Sequence, residues 1–308
     1  MNREDHGTAM SEPTEDRDLR LAVITGAVSG IGASLAELLV SRGWRLVLLN
    51  RSAERTKPLL ERLRTIDSAG SVRVIQIDVT ERPGLRAVAD QITEECGAVD
   101  ALFNYAGVLR EDRVRSQNGN ELQFEGNTMA PYLLARALRP ALRHAAATRG
   151  RAVVVTPSTS AVKSQKSLDI SALRTGVKGG LAGAYAQSKL AFAVLNAHLA
   201  AEYGDDGIEY FAVDPGVNRT AMTTSSAAPL PVRLMWRLLP KPSVGAARLA
   251  AMLDDEWHGR SGSLILGGRQ RAIPGHAGAS PVTEALLGVV EEAGGESALE
   301  QGSQEGAQ

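Results

Sequence analysis

Only one of the 308 residues is cysteine, so no disulfide can form within the chain. This suits a reducing compartment. Cys96 lies in QITEECGAVD at an expected helix end and reads as structural, because a reactive thiolate needs an electropositive setting. Neither sign of charge is in excess: 34 Lys and Arg against 35 Asp and Glu give a formal net charge of -1. Such a balance leaves no basic footprint for nucleic acid and no general attraction to anionic membranes. No run approaches the roughly 18–20 apolar residues of a spanning helix. The first 18 residues are polar where a secretory signal is apolar, which implies a cytoplasmic location. Residues 1–18 and 294–308 read as disordered tails around one domain over 19–293. The five histidines have no metal-ligand spacing, and no nucleophile elbow or internal repeat is present.

What the chain does have is alternation. Short apolar runs recur at 19–25, 45–50, 72–79, 99–104, 152–156, 208–213 and 263–266. Segments with helical spacing separate most of them: 31–42, a polar helix through Arg64, 83–96, 133–143 and 185–203. This pattern predicts an α/β fold, a single Rossmann-type doubly wound parallel sheet of about seven strands with helices on both faces. Such a sheet binds ligands at the carboxyl ends of its strands.

The chemistry-bearing residues fall at those ends or on the helix that follows. Gly26, Gly30 and Gly32 sit between the first strand and the first helix, where backbone N–H groups and a helix N-terminus can hold phosphates. Ser29 and Ile31 belong to the same turn. The second strand ends in Asn50-Arg51-Ser52, without the carboxylate that usually meets an NAD ribose. Arg51 can pair with a 2′-phosphate, so NADP(H) is favoured over NAD(H). Asp78 ends the third strand and suits either an adenine amino group or a helix cap. Tyr185 and Lys189 lie one turn apart on one helix face, where an ammonium can lower a phenol's pKa and help it exchange a proton near neutrality.

These residues together resemble the short-chain dehydrogenase/reductase family. The match runs through Thr25-Gly26-x-x-x-Gly30-Ile31-Gly32, Asp78-Val79, Asn104-x-Ala106-Gly107, Asn127, Tyr185-x-x-x-Lys189 and Pro215-Gly216 followed by Thr220. It covers roughly residues 19–270. The stretches NELQFEGNTMAPYLL, AYAQSKLAFAVL and DPGVNRT, with the long insertion before Tyr185, are similar to the retinol-dehydrogenase-like branch. The resemblance implies that Tyr185 acts as general acid/base and that Lys189 holds the nicotinamide ribose. It implies that a serine steadies the substrate oxygen and that Asn127 bends its helix to hold a relay water. Asn104, Ala106 and Gly107 would line the cofactor, and Val217 and Thr220 would meet its carboxamide.

The chain departs from the family pattern in three places. Tyr105 stands where a second Asn or an Ala is usual. The serine position falls in Thr156-Pro157-Ser158-Thr159-Ser160, where Ser158 is the first choice and Ser160 the fallback. Pro157 fixes φ and lacks an N–H, which changes that loop. After Thr220, the segment about 221–242 holds Leu234, Met235, Trp236, Leu238 and Leu239, flanked by Arg233, Arg237 and Lys241. In the family this region is a substrate lid, here an apolar wall for an apolar small molecule. Oligomer packing and shallow membrane contact are its other readings. A homo-oligomer through the helices of Asn127 and Tyr185 is common in the family, and a monomer is the alternative in this branch. The reaction implied is interconversion of a carbonyl and an alcohol. The alternative is a non-catalytic NADP(H) sensor or scaffold that retains the fold.

Overall fold

A computed structural model of the protein describes residues 19–67, 71–110, 114–176, 181–224, 230–274 and 280–294. The expected tails, 1–18 and nearly all of 294–308, lie outside the described residues.

The described strands form one sheet in the order β3-β2-β1-β4-β5-β6-β7-β8. They are β1 (Leu21–Thr25), β2 (Arg45–Asn50), β3 (Val72–Gln76), β4 (Ala101–Phe103), β5 (Ala152–Pro157), β6 (Ile208–Val213), β7 (Ser263–Leu266) and β8 (Arg269–Arg271). The described helices are α1 (Gly30–Ser41), α2 (Ala53–Ile66), α3 (Arg82–Cys96), α4 (Leu122–Phe124), α5 (Ala130–Ala137) and α6 (Arg139–Arg149). They continue with α7 (Ala186–Glu202), α8 (Ala221–Thr224), α9 (Leu230–Leu234), α10 (Pro242–Ala250) and α11 (Ser280–Glu292). None is long and apolar enough to cross a membrane.

Seven strands pair in parallel, and their continuous apolar sequences follow from burial on both faces. Alternate residues of one strand feed two separate cores. Leu21 and Val23 of β1 join Val47, Leu49 and Val154 beneath α3, α5, α6, α7 and α11. Ala22 and Ile24 join Leu46, Leu48 and Val155 beneath α1, α2 and α10. A one-residue slip of β1 would exchange these sets, so both helical layers fix its register.

The structure adds three things to the expected outline. The eighth strand, β8, pairs antiparallel with β7 at the edge, and its residues Arg-Gln-Arg are all exposed. It carries no apolar alternation, so its pattern gave no strand signal. The single helix expected over 133–143 is two, divided at Leu138, because Pro140 cannot donate the backbone bond a continuous helix needs there. β3 ends at Gln76, short of Val79, because Asp78 turns the chain by accepting from the Thr80 backbone N–H and hydroxyl.

Strand order reverses between β1 and β4, and the carboxyl ends of these strands part at that point. A doubly wound sheet places its ligand cleft there.

Candidate active site

A cleft of about 990 Å³ runs across the carboxyl ends of the parallel strands. One end is built by the turn between β1 and α1. Gly26 has φ 74°, and a Cβ there would meet the Ala106 Cα at 2.7 Å. Only glycine allows this backbone to pass so close to the loop after β4. The Ala106 N–H donates to Thr25 Oγ1 at 2.9 Å, which ties the two loops together. Ser29, Gly30 and Ile31 line the cleft at the start of α1, whose Ser29 N-cap makes no side-chain cap bond.

Arg51 stands at the rim after β2, its side chain 74% exposed, with Nη1 3.5 Å from Asp78 Oδ2. Asp78 and Val79 line the same wall. Asn50 lines it too, with its Nδ2 bonded to Thr56 Oγ1 and its buried Oδ1 without a hydrogen-bond partner among the described residues. Pro215, Gly216, Val217 and Thr220 complete this side. Asn218 holds that loop: its Nδ2 donates to the Pro215 and Gly216 carbonyls and its Oδ1 accepts from the Gly245 N–H.

At the other end, Tyr185, Lys189, Ser158 and Asn127 all reach the cleft. Two π-helical turns place them. One, Leu181–Tyr185, delivers Tyr185 to the start of α7. The other, Glu125–Met129, carries Asn127 into α5. Such turns widen a helix by one residue and occur often at functional sites. Asn127 is fully buried and clamps Val108: its Oδ1 accepts from the Val108 N–H and its Nδ2 donates to the Val108 carbonyl, both at 2.8 Å. Its Nδ2 also reaches Ser188 Oγ at 3.1 Å. Gly107 lets this clamp close, because a Cβ would lie 3.0 Å from Asn127 Oδ1 and 3.7 Å from Lys189 Nζ. Ser158 is 5% exposed, and its Oγ has no hydrogen-bond partner among the described residues. Ser160 also lines the cleft but is exposed on the following 3-10 turn.

Burial governs the electrostatics here. Desolvation pushes the Tyr185 phenol above its ordinary value, and nearby Tyr105 and Asp214 add to the rise. The same desolvation lowers Lys189 to about 8. Lys189 Nζ lies 6.0 Å from the Tyr185 ring centre. The sequence suggests a phenol lowered by its neighbouring ammonium. In the protein alone the direction is opposite, because burial disfavours the charged phenolate.

Two expected cofactor contacts do not reach the cleft. Asn104 is buried behind it, donating to Thr156 Oγ1 at 3.1 Å and to the Pro131 carbonyl at 3.4 Å. Gly32 instead makes room for the unusual Tyr105, whose Cδ1 would lie 2.6 Å from a Cβ at that position. The apolar wall expected from Leu234, Met235, Trp236, Leu238 and Leu239 is likewise absent from the lining. Leu234 and Leu238 are 77% and 78% exposed, and Trp236 lies 5.7 Å from the Arg219 guanidinium. Apolar lining comes instead from Val108, Leu109, Leu122, Val217 and Ala161. Residues 225–229 of the expected lid lie outside the described residues. Arg55, in the first turn of α2 and absent from the expected site residues, shares the rim with Arg51.

A family model described as short chain dehydrogenase matches residues 20–230. Human retinol dehydrogenase 13 is 29% identical over 236 residues, covering 74% of this chain and 70% of that protein. Dehydrogenase/reductase SDR family member 13 from Bos taurus is 32% identical over 233 residues, covering 74% and 60%. Among solved structures, the Pseudomonas aeruginosa RhlG/NADP active-site complex is 25% identical with a TM-score of 0.66, covering 81% of this chain and 95% of that one. The mostly parallel sheet with helices around it agrees with the fold of that solved structure. The chain is an oxidoreductase of the short-chain dehydrogenase family and falls in its retinol-dehydrogenase-like branch.

Proposed function

We propose that the protein is an NADP(H)-dependent oxidoreductase that interconverts a carbonyl and an alcohol on an apolar small molecule. The observation that carries this reading is Ser158: its buried hydroxyl has no partner among the described residues, and the residue lines the cleft shared by Tyr185 and Lys189. A buried polar group of this kind costs stability unless a ligand completes it. The cleft fits a nicotinamide dinucleotide. Gly26 brings backbone close to Ala106, and the N-terminus of α1 offers free N–H groups to a pyrophosphate. A bound dinucleotide supplies the hydride in reduction and accepts it in oxidation.

The remaining work falls to the chain itself. Tyr185 donates its proton to the carbonyl oxygen in reduction and takes it back in oxidation. A phenol kept protonated by burial is suited to the first role. Ser158 Oγ donates to the same oxygen as charge develops on it. Lys189, still an ammonium below about pH 8, supplies positive charge beside the phenol. Asn127 holds the Val108 wall of the cleft. Gly30, Ile31, Ala106, Gly107, Pro215, Gly216, Val217 and Thr220 form the cradle, and Asp78 shapes the adenine side. Arg51 and Arg55 hold a 2′-phosphate at the N-terminus of α2, where charge and helix dipole both favour an anion. Retinol dehydrogenase and polyprenol dehydrogenase relatives make an apolar alcohol or aldehyde the first substrates to try.

Titration of the purified protein with NADPH and NADH, followed by a panel of apolar aldehydes and ketones, tests the reading. NADPH is expected to bind more tightly and to support turnover. Arg51→Ala is expected to weaken NADPH by about tenfold, equivalent to about 1.4 kcal/mol, and to leave NADH nearly unchanged. Equal losses for both dinucleotides would remove the 2′-phosphate role. Tight binding without turnover across the panel would favour a sensor over an enzyme.

A further inference from the structure

A π-helical turn has poorer hydrogen-bond geometry than the α-helix it interrupts, so it persists where its surroundings fix it. Beneath Asn127 the fixing group is a carboxylate. Glu125 opens the turn and is fully buried. Its Oε1 accepts from Arg82 Nε and its Oε2 from Arg82 Nη2, both at 2.6 Å. Oε2 also accepts from Asn120 Nδ2 at 2.8 Å and from Ser116 Oγ at 3.4 Å. The remaining guanidinium arm, Nη1, donates to the Ala293 carbonyl just past α11. Arg174 closes the outer ring, donating to Asn120 Oδ1 at 3.0 Å and meeting Glu292 at 3.5 Å.

The start of α3, the loop at 116–120, the π-helical turn and the end of α11 thus converge on one carboxylate. Neither Arg82 nor Glu125 lines the cleft, but two groups they control do. Ser116 is bonded to Glu125 directly, and Val108 is clamped by Asn127 two residues along the same turn. A buried ion pair contributes little net stability compared with an apolar pair of similar volume. Stability alone therefore gives no reason for a carboxylate at this place, whereas geometry does.

We infer that the Arg82–Glu125 pair is a positioning device for the reacting end of the cleft. It fixes the π-helical turn, through the turn Asn127 and the Val108 backbone, and it ties that geometry to the end of α11. The inference rests on the reading of the cleft given under the proposed function. Neither residue touches the reacting atoms, so their effect appears in rate rather than in dinucleotide affinity.

The paired neutral variant Arg82→Met/Glu125→Gln removes both charges together and keeps an acceptor for Asn120. It avoids the uncompensated buried charge that either single change would leave. The expected result is a melting temperature close to that of the unaltered protein and a kcat reduced by about 10²-fold, the scale of an ångström-level misplacement. NADPH affinity is expected to stay nearly constant. Hydrogen exchange at the Val108 amide and at residues 126–129 is expected to quicken. A folded paired variant with unaltered kcat and unaltered exchange would overturn the inference, as would a loss confined to NADPH affinity.

If the paired variant does not fold, Asn120→Ala keeps the ion pair and removes one arm of the carboxylate's support. It is expected to show the same split at about tenfold in kcat, a loss of one buried hydrogen bond to a charged group. Full activity in it would equally overturn the inference. Tyr185→Phe, measured alongside, separates the two readings. Full turnover in Tyr185→Phe sinks the proposed reaction, while the exchange rate at Val108 still decides whether the ion pair positions the turn.

Discussion

The two ends of the cleft are held by different physics. At the glycine-loop end the geometry lies in backbone turns, tied to the loop after β4. Gly26 at φ 74°, the Thr25 Oγ1 tether and the N-termini of α1 and α2 set the backbone, and the charged groups Arg51 and Arg55 are exposed. At the reacting end the geometry is long-range and buried. Asn127 bonds to Val108 nineteen residues away and to Ser188 sixty-one away, and Arg82 reaches Glu125 across forty-three. The first end rests on backbone turns and exposed charge, whereas the second rests on buried side-chain bonds between distant segments. Changes at the first end are expected to appear in binding, and changes at the second in rate.

The largest effect tests that separation directly. Tyr185→Phe keeps the ring and removes the proton carrier, so kcat is expected to fall by about 10²–10⁴-fold, the usual share of a positioned acid or base. NADPH affinity is expected to hold, and stopped-flow turnover with a fluorescence titration checks both. A matching collapse in affinity would show that the two ends are not separable. The converse change, Gly26→Ala, places a Cβ 2.7 Å from the Ala106 backbone at a φ that penalises alanine. A destabilisation of about 1–3 kcal/mol is expected, together with weaker dinucleotide binding. Denaturant unfolding and the same titration measure these, and kcat at saturating dinucleotide should change little. Unaltered affinity in Gly26→Ala would break the comparison at its glycine-loop end.

This difference also explains what the sequence made legible. The parallel strands could be read because burial on both faces demands continuous apolar runs such as LAVIT and AVVVT. Most of the expected site residues line the cleft, because glycine turns and strand ends leave signals in the sequence. The edge strand β8 could not, since Arg-Gln-Arg is exposed on every residue. Nor could the π-helical turns: the one that carries Asn127 is tied through Glu125 to a guanidinium forty-three residues before that carboxylate. The rise of the Tyr185 pKa was hidden for the same reason. A Tyr-x-x-x-Lys spacing reports that two groups are neighbours but not how much water surrounds them. Leu234 and Leu238 show the reverse error: apolar residues in a family lid suggest a wall, yet their side chains point to solvent.

The smallest effect concerns Lys189, at the reacting end of the cleft. Burial lowers its pKa from 10.5 to about 8. Above about pH 8 the folded protein gives up a proton that the unfolded chain keeps until its ordinary value. The unfolded state therefore binds more protons over that window, and stability from this group rises with pH. Cys96 and Tyr185 act in the opposite sense: burial raises both, so their contributions fall as pH climbs past their ordinary values of 9.0 and 10.0. The Lys189 contribution is thus clearest just above pH 8, as the difference between the unaltered protein and Lys189→Met. Melting temperatures taken without dinucleotide from pH 7 to 9 are expected to climb more steeply with Lys189 than without it. Parallel curves would mean that water reaches the ammonium and that the reacting end is less buried than its packing implies. In that case exposure would no longer distinguish Lys189 from Arg51 at the opposite rim.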